Sequence, residues 1–146
     1  MHKLFSLSPI VIALALWPAA ALPAENPNDI LVVANKKLEV NSVSIEVLKE
    51  VFHKQKTAWT TGVRATPIHS KDSKLKQQFI QKLFNHDIAG EEAFWQDEKI
   101  RSGSTPPPEL ANTLKAIFHL PGGVSYVYRS QHVEGVAKIL LVIPAQ

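Results

Sequence analysis

Between His69 and Lys76 the sequence reads HSKDSKLK, placing two serines, one aspartate and three lysines directly after a histidine. The segment lies where a predicted strand hands over to a predicted helix. A helix start exposes unpaired N–H groups and a partial positive charge, so it attracts anions. Ser73 could donate its hydroxyl there, and Lys71, Lys74 and Lys76 would add positive field. The competing reading is local: Asp72 or Ser73 simply caps the helix, which is the commoner use of such residues. A second stretch, RSGSTPPP from Arg101 to Pro108, offers Ser102 and Ser104 around Gly103. Its backbone amides could form an anion nest, or its prolines could only stiffen the entry to the next helix. The candidate ligand-binding residues are therefore His69, Ser70, Lys71, Ser73, Lys74, Ser102 and Ser104.

Other chemistries find little to work with. There is no nucleophile elbow, phosphate-cradling P-loop or dinucleotide fingerprint. With no cysteine, a catalytic thiolate is excluded. His53, His69, His86, His119 and His132 fall singly on different predicted elements, whereas a zinc site wants ligands at close, regular spacing. Glu91–Glu92 and Asp97–Glu98 share one predicted helix and read as a solvated face, not as carboxylates facing one sugar. These residues point away from an enzyme and from any cofactor.

The elements that position these residues belong to a globular chain. It has 146 residues, 45% hydrophobic and 20% charged, with a net charge of +3. That fits one domain. The lysines are scattered among acids, without the basic stripe of a nucleic-acid binder. The first residues read as a secretory signal peptide: basic MHKLF, the apolar run PIVIALALWPAAAL, then small residues with cleavage after Ala21 or Ala24. The apolar run is shorter than the ~20 residues of a spanning helix. No lipid-anchor cysteine follows. The expectation is segment 1–24 as signal peptide and 25–146 as one domain, soluble in the periplasm of a diderm source and not inserted in the membrane.

Along that domain, ILVVAN (Ile30 to Asn35) is a buried strand. SIEVLKEVFHKQ is an amphipathic helix with Ser44 as cap, and Trp59 plugs the core beneath a loop. VRATPIH is a strand whose Pro67 suits an edge. KLKQQFIQKLF is a helix with Leu75, Phe79 and Leu83 on its inner face. HDIAG ends it, with Gly90 as breaker, and EEAFWQDEKI forms a short helix anchored by Phe94 and Trp95. A further helix begins within PELANTLKAIFHL, with Leu110, Leu114, Ile117 and Phe118 on one face, and PGG stops it. GVSYVY alternates, and AKILLVI is a last buried strand. The order predicts an α/β fold: an open mixed sheet of about four to five strands flanked by helices.

The succession VVAN, SIEVLKEVF.K...W..G, DSKLKQQF, FW....RSG...PP and LPGGVSYV resembles the phosphate-binding substrate-binding proteins of ABC transporters. The resemblance runs from Ile30 to about Val142. It implies one lobe of a type 2 periplasmic-binding fold, a periplasmic location and an ancestral role in holding an oxyanion. The partners it implies are phosphate or another oxyanion, and a membrane transporter or other periplasmic protein. In that family the ligand sits between two lobes, and this chain is long enough for one. Aligned through Phe79, the family's arginine falls on His69, its acid on Lys71, its serine on Ser73, its glycine on Lys74 and its threonine on Leu75. Only Ser73 keeps its type. A histidine does not replace an arginine fork. The function expected is therefore a non-enzymatic solute-binding domain with weak oxyanion affinity. The alternative is a ligand-less interaction module built on the same fold.

Overall fold

A computed structural model describes residues 25–131 and 133–145. The expected signal peptide, 1–24, and His132 lie outside the described residues. The sheet is built around β1 (Ile30–Asn35), an apolar strand buried along its whole length. Successive side chains of a strand face opposite sides, so a strand apolar at every position up to Asn35 must be covered on both. Ile30, Val32 and Ala34 pack with the inner face of the helices α1 (Ile45–Phe52) and α2 (Ser73–Phe84). Leu31 and Val33 pack on the other side with Ile117 of α4 (Thr113–His119).

β1 pairs antiparallel with β5 (Gly123–Tyr128) on one side and β6 (Ala137–Ile143) on the other, with a register shift between Val32 and Val33 on the β6 side. The short β2 (Thr66–Pro67) adds parallel to β5, giving the order β2-β5-β1-β6. Pro67 thus sits on an edge strand, where a missing N–H is tolerated. Just beyond it, β3 (His69–Ser70) pairs in parallel with β4 (Glu109–Leu110).

Local chemistry sets the helix ends. Ser44 caps α1 by accepting the Val47 N–H at 3.2 Å, and Asp72 caps α2 by accepting the Leu75 N–H at 3.2 Å. α2 ends at Asn85 in the left-handed region, φ 56°. The turn of Pro121, Gly122 and Gly123 lets two backbones meet. The Gly122 carbonyl accepts the Thr66 N–H and the Trp59 indole N–H, both at 3.0 Å. This seats Trp59 in the core.

Four expectations are corrected. Gly90 does not break the chain: Asp87 caps a longer α3, Ile88–Ser102, and accepts the Gly90 N–H at 2.8 Å inside its first turn. Glu91 is not on a solvated face but is buried. Leu110 belongs to β4, α4 starts only at Thr113, and Phe118 is half exposed. β6 is not buried throughout, since as an edge strand it exposes Ile139 and Val142.

Candidate functional site

Ser70, Lys71, Asp72 and Ser73 form the junction from β3 into α2. β3 is tied to the β4 segment by two backbone hydrogen bonds. The His69 N–H donates to the Pro108 carbonyl at 2.9 Å, and the Lys71 N–H to the Leu110 carbonyl at 3.1 Å. Ser70 Oγ accepts the Asp72 N–H at 3.0 Å, which bends the chain into the helix. Asp72 then turns its carboxylate onto the first turn of α2. A resident carboxylate thus already sits on amides that an incoming anion would use.

His69 and Ser70 are consecutive on a strand and face opposite sides. Ser70 lines a small polar recess of about 190 Å3, together with Asp72, Asn112, Thr113 and Tyr128. His69 turns inward. Its Nδ1 lies 2.8 Å from the Tyr126 hydroxyl, and its ring packs against Phe52 at 5.2 Å between centroids. Burial pushes the imidazole down to about 4, with the Lys76 ammonium adding to the effect, so the ring is neutral at pH 7. The same burial pushes the Tyr126 hydroxyl up, keeping it a proton donor.

The remaining candidates lie elsewhere. Lys71 and Ser73 are exposed at the junction. Lys74 lines a larger groove of about 660 Å3 with Gln77, Gln78, Gln81 and Tyr128. Lys76 pairs with Glu109 across to β4. Ser102 and Ser104 stand at the C-terminal end of α3: Ser102 Oγ donates to the Glu98 carbonyl at 3.0 Å and accepts the Ser104 N–H at 3.4 Å. A helix C-terminus presents carbonyl oxygens and partial negative charge, opposite in sign to an anion's needs. The structure therefore gathers Ser70, Lys71 and Ser73 at one junction and sends His69, Lys74 and the Ser102–Ser104 turn to other surfaces.

A polar cluster unassigned from the sequence lies at the start of α3. Glu91 Oε1 accepts from His53 Nε2 at 2.9 Å and from the Trp95 indole N–H at 3.0 Å. Its Oε2 accepts from His86 Nε2 at 2.6 Å. Burial alone would raise this carboxyl, but the hydrogen bonds from His53, His86 and Trp95 outweigh it and hold Glu91 below the usual carboxylate range. The His53 ring is stacked between Phe84 and Phe94, each with centroids 3.7 Å away. The cluster clamps the end of α1 to the α2–α3 turn and to α3. No group of three His, Cys, Asp or Glu among the described residues is arranged to hold a metal ion. The signal in the sequence was Glu91, Phe94 and Trp95 at i, i+3 and i+4, which puts the acid on the apolar face.

A four-stranded mixed sheet with helices on both sides is the architecture of one lobe of a periplasmic-binding fold. Solved structures carry the likeness. The fold matches an ABC-type phosphate transport receptor from Vibrio cholerae with a TM-score of 0.59 at 12% identity, over 80% of this chain and 47% of that one. It matches a protein described as a phosphate ABC transporter substrate-binding protein, with bound phosphate, from Clostridium perfringens (TM-score 0.57, 11% identity, 80% of this chain and 46% of that one). It also matches a protein from Planctomyces limnophilus DSM 3776 described as phosphate binding (TM-score 0.52, 8% identity, 76% and 40%). The chain spans about half the length of the first two, 47% and 46%. At such identities the shared property is the fold. No protein-family model and no curated protein matches the chain. No helix among the described residues is long and apolar enough to cross a membrane.

Proposed function

We propose that this chain is a secreted, non-enzymatic solute-binding domain, a single lobe that offers half of an oxyanion site at the β3–α2 junction. In this reading residues 1–24 direct export and are removed, and 25–146 act as one periplasmic domain. Supporting it is the likeness to phosphate receptors over 80% of the chain, together with the polar recess beside Ser70. The ligand is phosphate or another small oxyanion, met by Ser70, Lys71 and Ser73. Affinity is weak for two reasons. One lobe encloses little of a ligand, whereas most small-molecule sites bury ~70–90% of it. Asp72 also opposes a second negative charge at the same helix end. A second copy, or a partner at the membrane, would close the site.

The test is a thermal-shift series with phosphate, sulfate and acetate on the protein and on Lys71→Glu. Stabilisation follows RT ln(1 + [L]/Kd), so even millimolar affinity registers at high ligand concentration. A rise with phosphate or sulfate that Lys71→Glu removes supports the reading. No rise with any oxyanion removes it for the isolated chain.

A second reading draws on Asp72 itself. Its carboxylate already occupies the α2 terminus, as expected of a lobe that has lost its ligand and kept the junction as a docking surface. Cross-linking in the periplasm separates the two: a stoichiometric protein partner unaffected by Ser73→Ala and by phosphate favours this module.

A further inference from the structure

A recess of about 290 Å3 opens between α2, α3 and the loop carrying Pro106. Its wall is mainly apolar and includes Ile88, Trp95 and Pro106. The volume is at the lower end of the ~300–1,000 Å3 usual for small-molecule sites. That suits one ring or a short branched chain with a single headgroup.

Two polar groups face this apolar wall. The first is the far edge of His69, which lines the recess from the β3 side. The Tyr126 hydroxyl accepts the Ser70 N–H at 3.3 Å and lies 2.8 Å from His69 Nδ1. Tyr126 is fully buried, and among the described residues Nδ1 is the only acceptor within reach of its hydroxyl hydrogen, so the satisfied arrangement has the hydroxyl donating to Nδ1 and the ring carrying its proton on Nε2. Among the described residues every fully buried side-chain nitrogen and oxygen has a partner. His69 Nε2 has none among them, so it is not fully enclosed, and the recess that His69 lines is this one. The residue as a whole is only 2% exposed. A neutral, nearly dry N–H donor therefore points into an apolar pocket, where an unanswered donor is costly.

The second group is Lys99, on the α3 rim, which makes no ion pair among the described residues. The other charged groups of the recess are largely committed. Lys76 is paired with Glu109, and the oxygens of Glu91 are taken by His53, His86 and Trp95. Glu92 lies exposed on the same rim.

We propose that this recess binds a small organic carboxylate with a compact apolar body, the carboxylate held by His69 Nε2–H and Lys99 and the body laid against Trp95. The apolar wall selects against inorganic oxyanions, which have nothing to place on it. The site is independent of the junction at Ser70, because the two residues face opposite sides of β3.

The experiment is an NMR titration of the whole protein, following the Trp95 indole N–H, assigned with Trp95→Phe. The probes are benzoate, isovalerate, benzyl alcohol and inorganic phosphate. Benzoate or isovalerate is expected to move the Trp95 signal saturably, with benzyl alcohol about tenfold weaker for want of the charged hydrogen bonds. Lys99→Ala should weaken the acids by about the same factor and leave benzyl alcohol unchanged. Gln96 is exposed on the rim, so Gln96→Trp should plug the recess without altering the melting temperature of the free protein. A Trp95 signal unmoved by both acids overturns the proposal. So does a response that phosphate reproduces, or one that survives both Lys99→Ala and Gln96→Trp.

Discussion

His53 Nε2 lies 2.9 Å from Glu91 Oε1, so the residue that ends α1 is bound to the first turn of α3. His86 and Trp95 complete the shell of donors around one carboxylate. A buried carboxylate with its partners intact is stable, but removing its charge leaves donors facing a weaker acceptor. Glu91→Gln is expected to cost about 2 kcal/mol, read by urea denaturation with an unchanged slope. The neighbouring Glu92→Gln is exposed and should stay within about 0.5 kcal/mol of the parent.

The Gly122 turn allows a sharper contrast. A Cβ there would lie 1.7 Å from the Arg64 carbonyl oxygen, a backbone atom with no freedom to swing away. Gly122→Ala must displace the β2 segment and break the Thr66 and Trp59 bonds to the Gly122 carbonyl. We expect a loss on the order of 3 kcal/mol or more. Gly62 has positive φ, 85°, but open space around it. Gly62→Ala should cost only about 1 kcal/mol, from the backbone conformation alone. Thermal melts of the two variants compare them directly.

The N-terminal segment carries a different kind of prediction. Expressed from Met1 in a diderm bacterium, the chain should appear in the periplasmic fraction with its first residue at Leu22 or Glu25, as cleavage after Ala21 or Ala24 requires. Intact-mass measurement of the fractionated protein decides this. An unprocessed chain in the cytosol would contradict the export reading.

Much of the frame was legible because it is locally encoded. β1 is apolar at five successive positions before Asn35, α1 has Ser44 before its apolar stripe, and α2 repeats Leu75, Phe79 and Leu83. What failed depended on distant partners or on a boundary. β6 looked like a buried strand by composition, yet its exposure follows from its place at the sheet edge, which no residue within it specifies. β4 is two residues long and exists because β3 lies beside it. Beside Glu92, Glu91 reads as half of a solvated acid pair, and a helix started after Gly90 would leave it at the exposed end. With Asp87 as cap, the same helix carries Glu91 onto the face of Phe94 and Trp95. The junction candidates were misgrouped for another reason: a strand alternates its side chains, so neighbours in sequence at 69 and 70 became neighbours to different cavities.

The pH dependence of stability follows from His69. Its ring takes a proton near 6.5 in the unfolded chain but only at about 4 in the folded protein, because burial, and then Lys76, oppose the charge. Glu91 and Glu109 pull the other way, and His53 adds slightly to the lowering. Above pH 6.5 both states hold the neutral ring and no stability depends on it. As pH falls below that, the unfolded state binds a proton that the folded state refuses, so stability declines until the folded ring protonates. The loss across this window is on the order of 3 kcal/mol. Glu91, held low, adds a loss in the same direction below about pH 4.5, as pH falls through its folded value. Melting temperatures from pH 7.5 to 4.5 should therefore fall steadily, with most of the decline below pH 6.5. His69→Gln removes the titrating ring and should flatten that decline while lowering stability at pH 7.5, since the Tyr126 hydroxyl loses its fitted partner. Parallel pH profiles of the two proteins would show that His69 is not the group responsible.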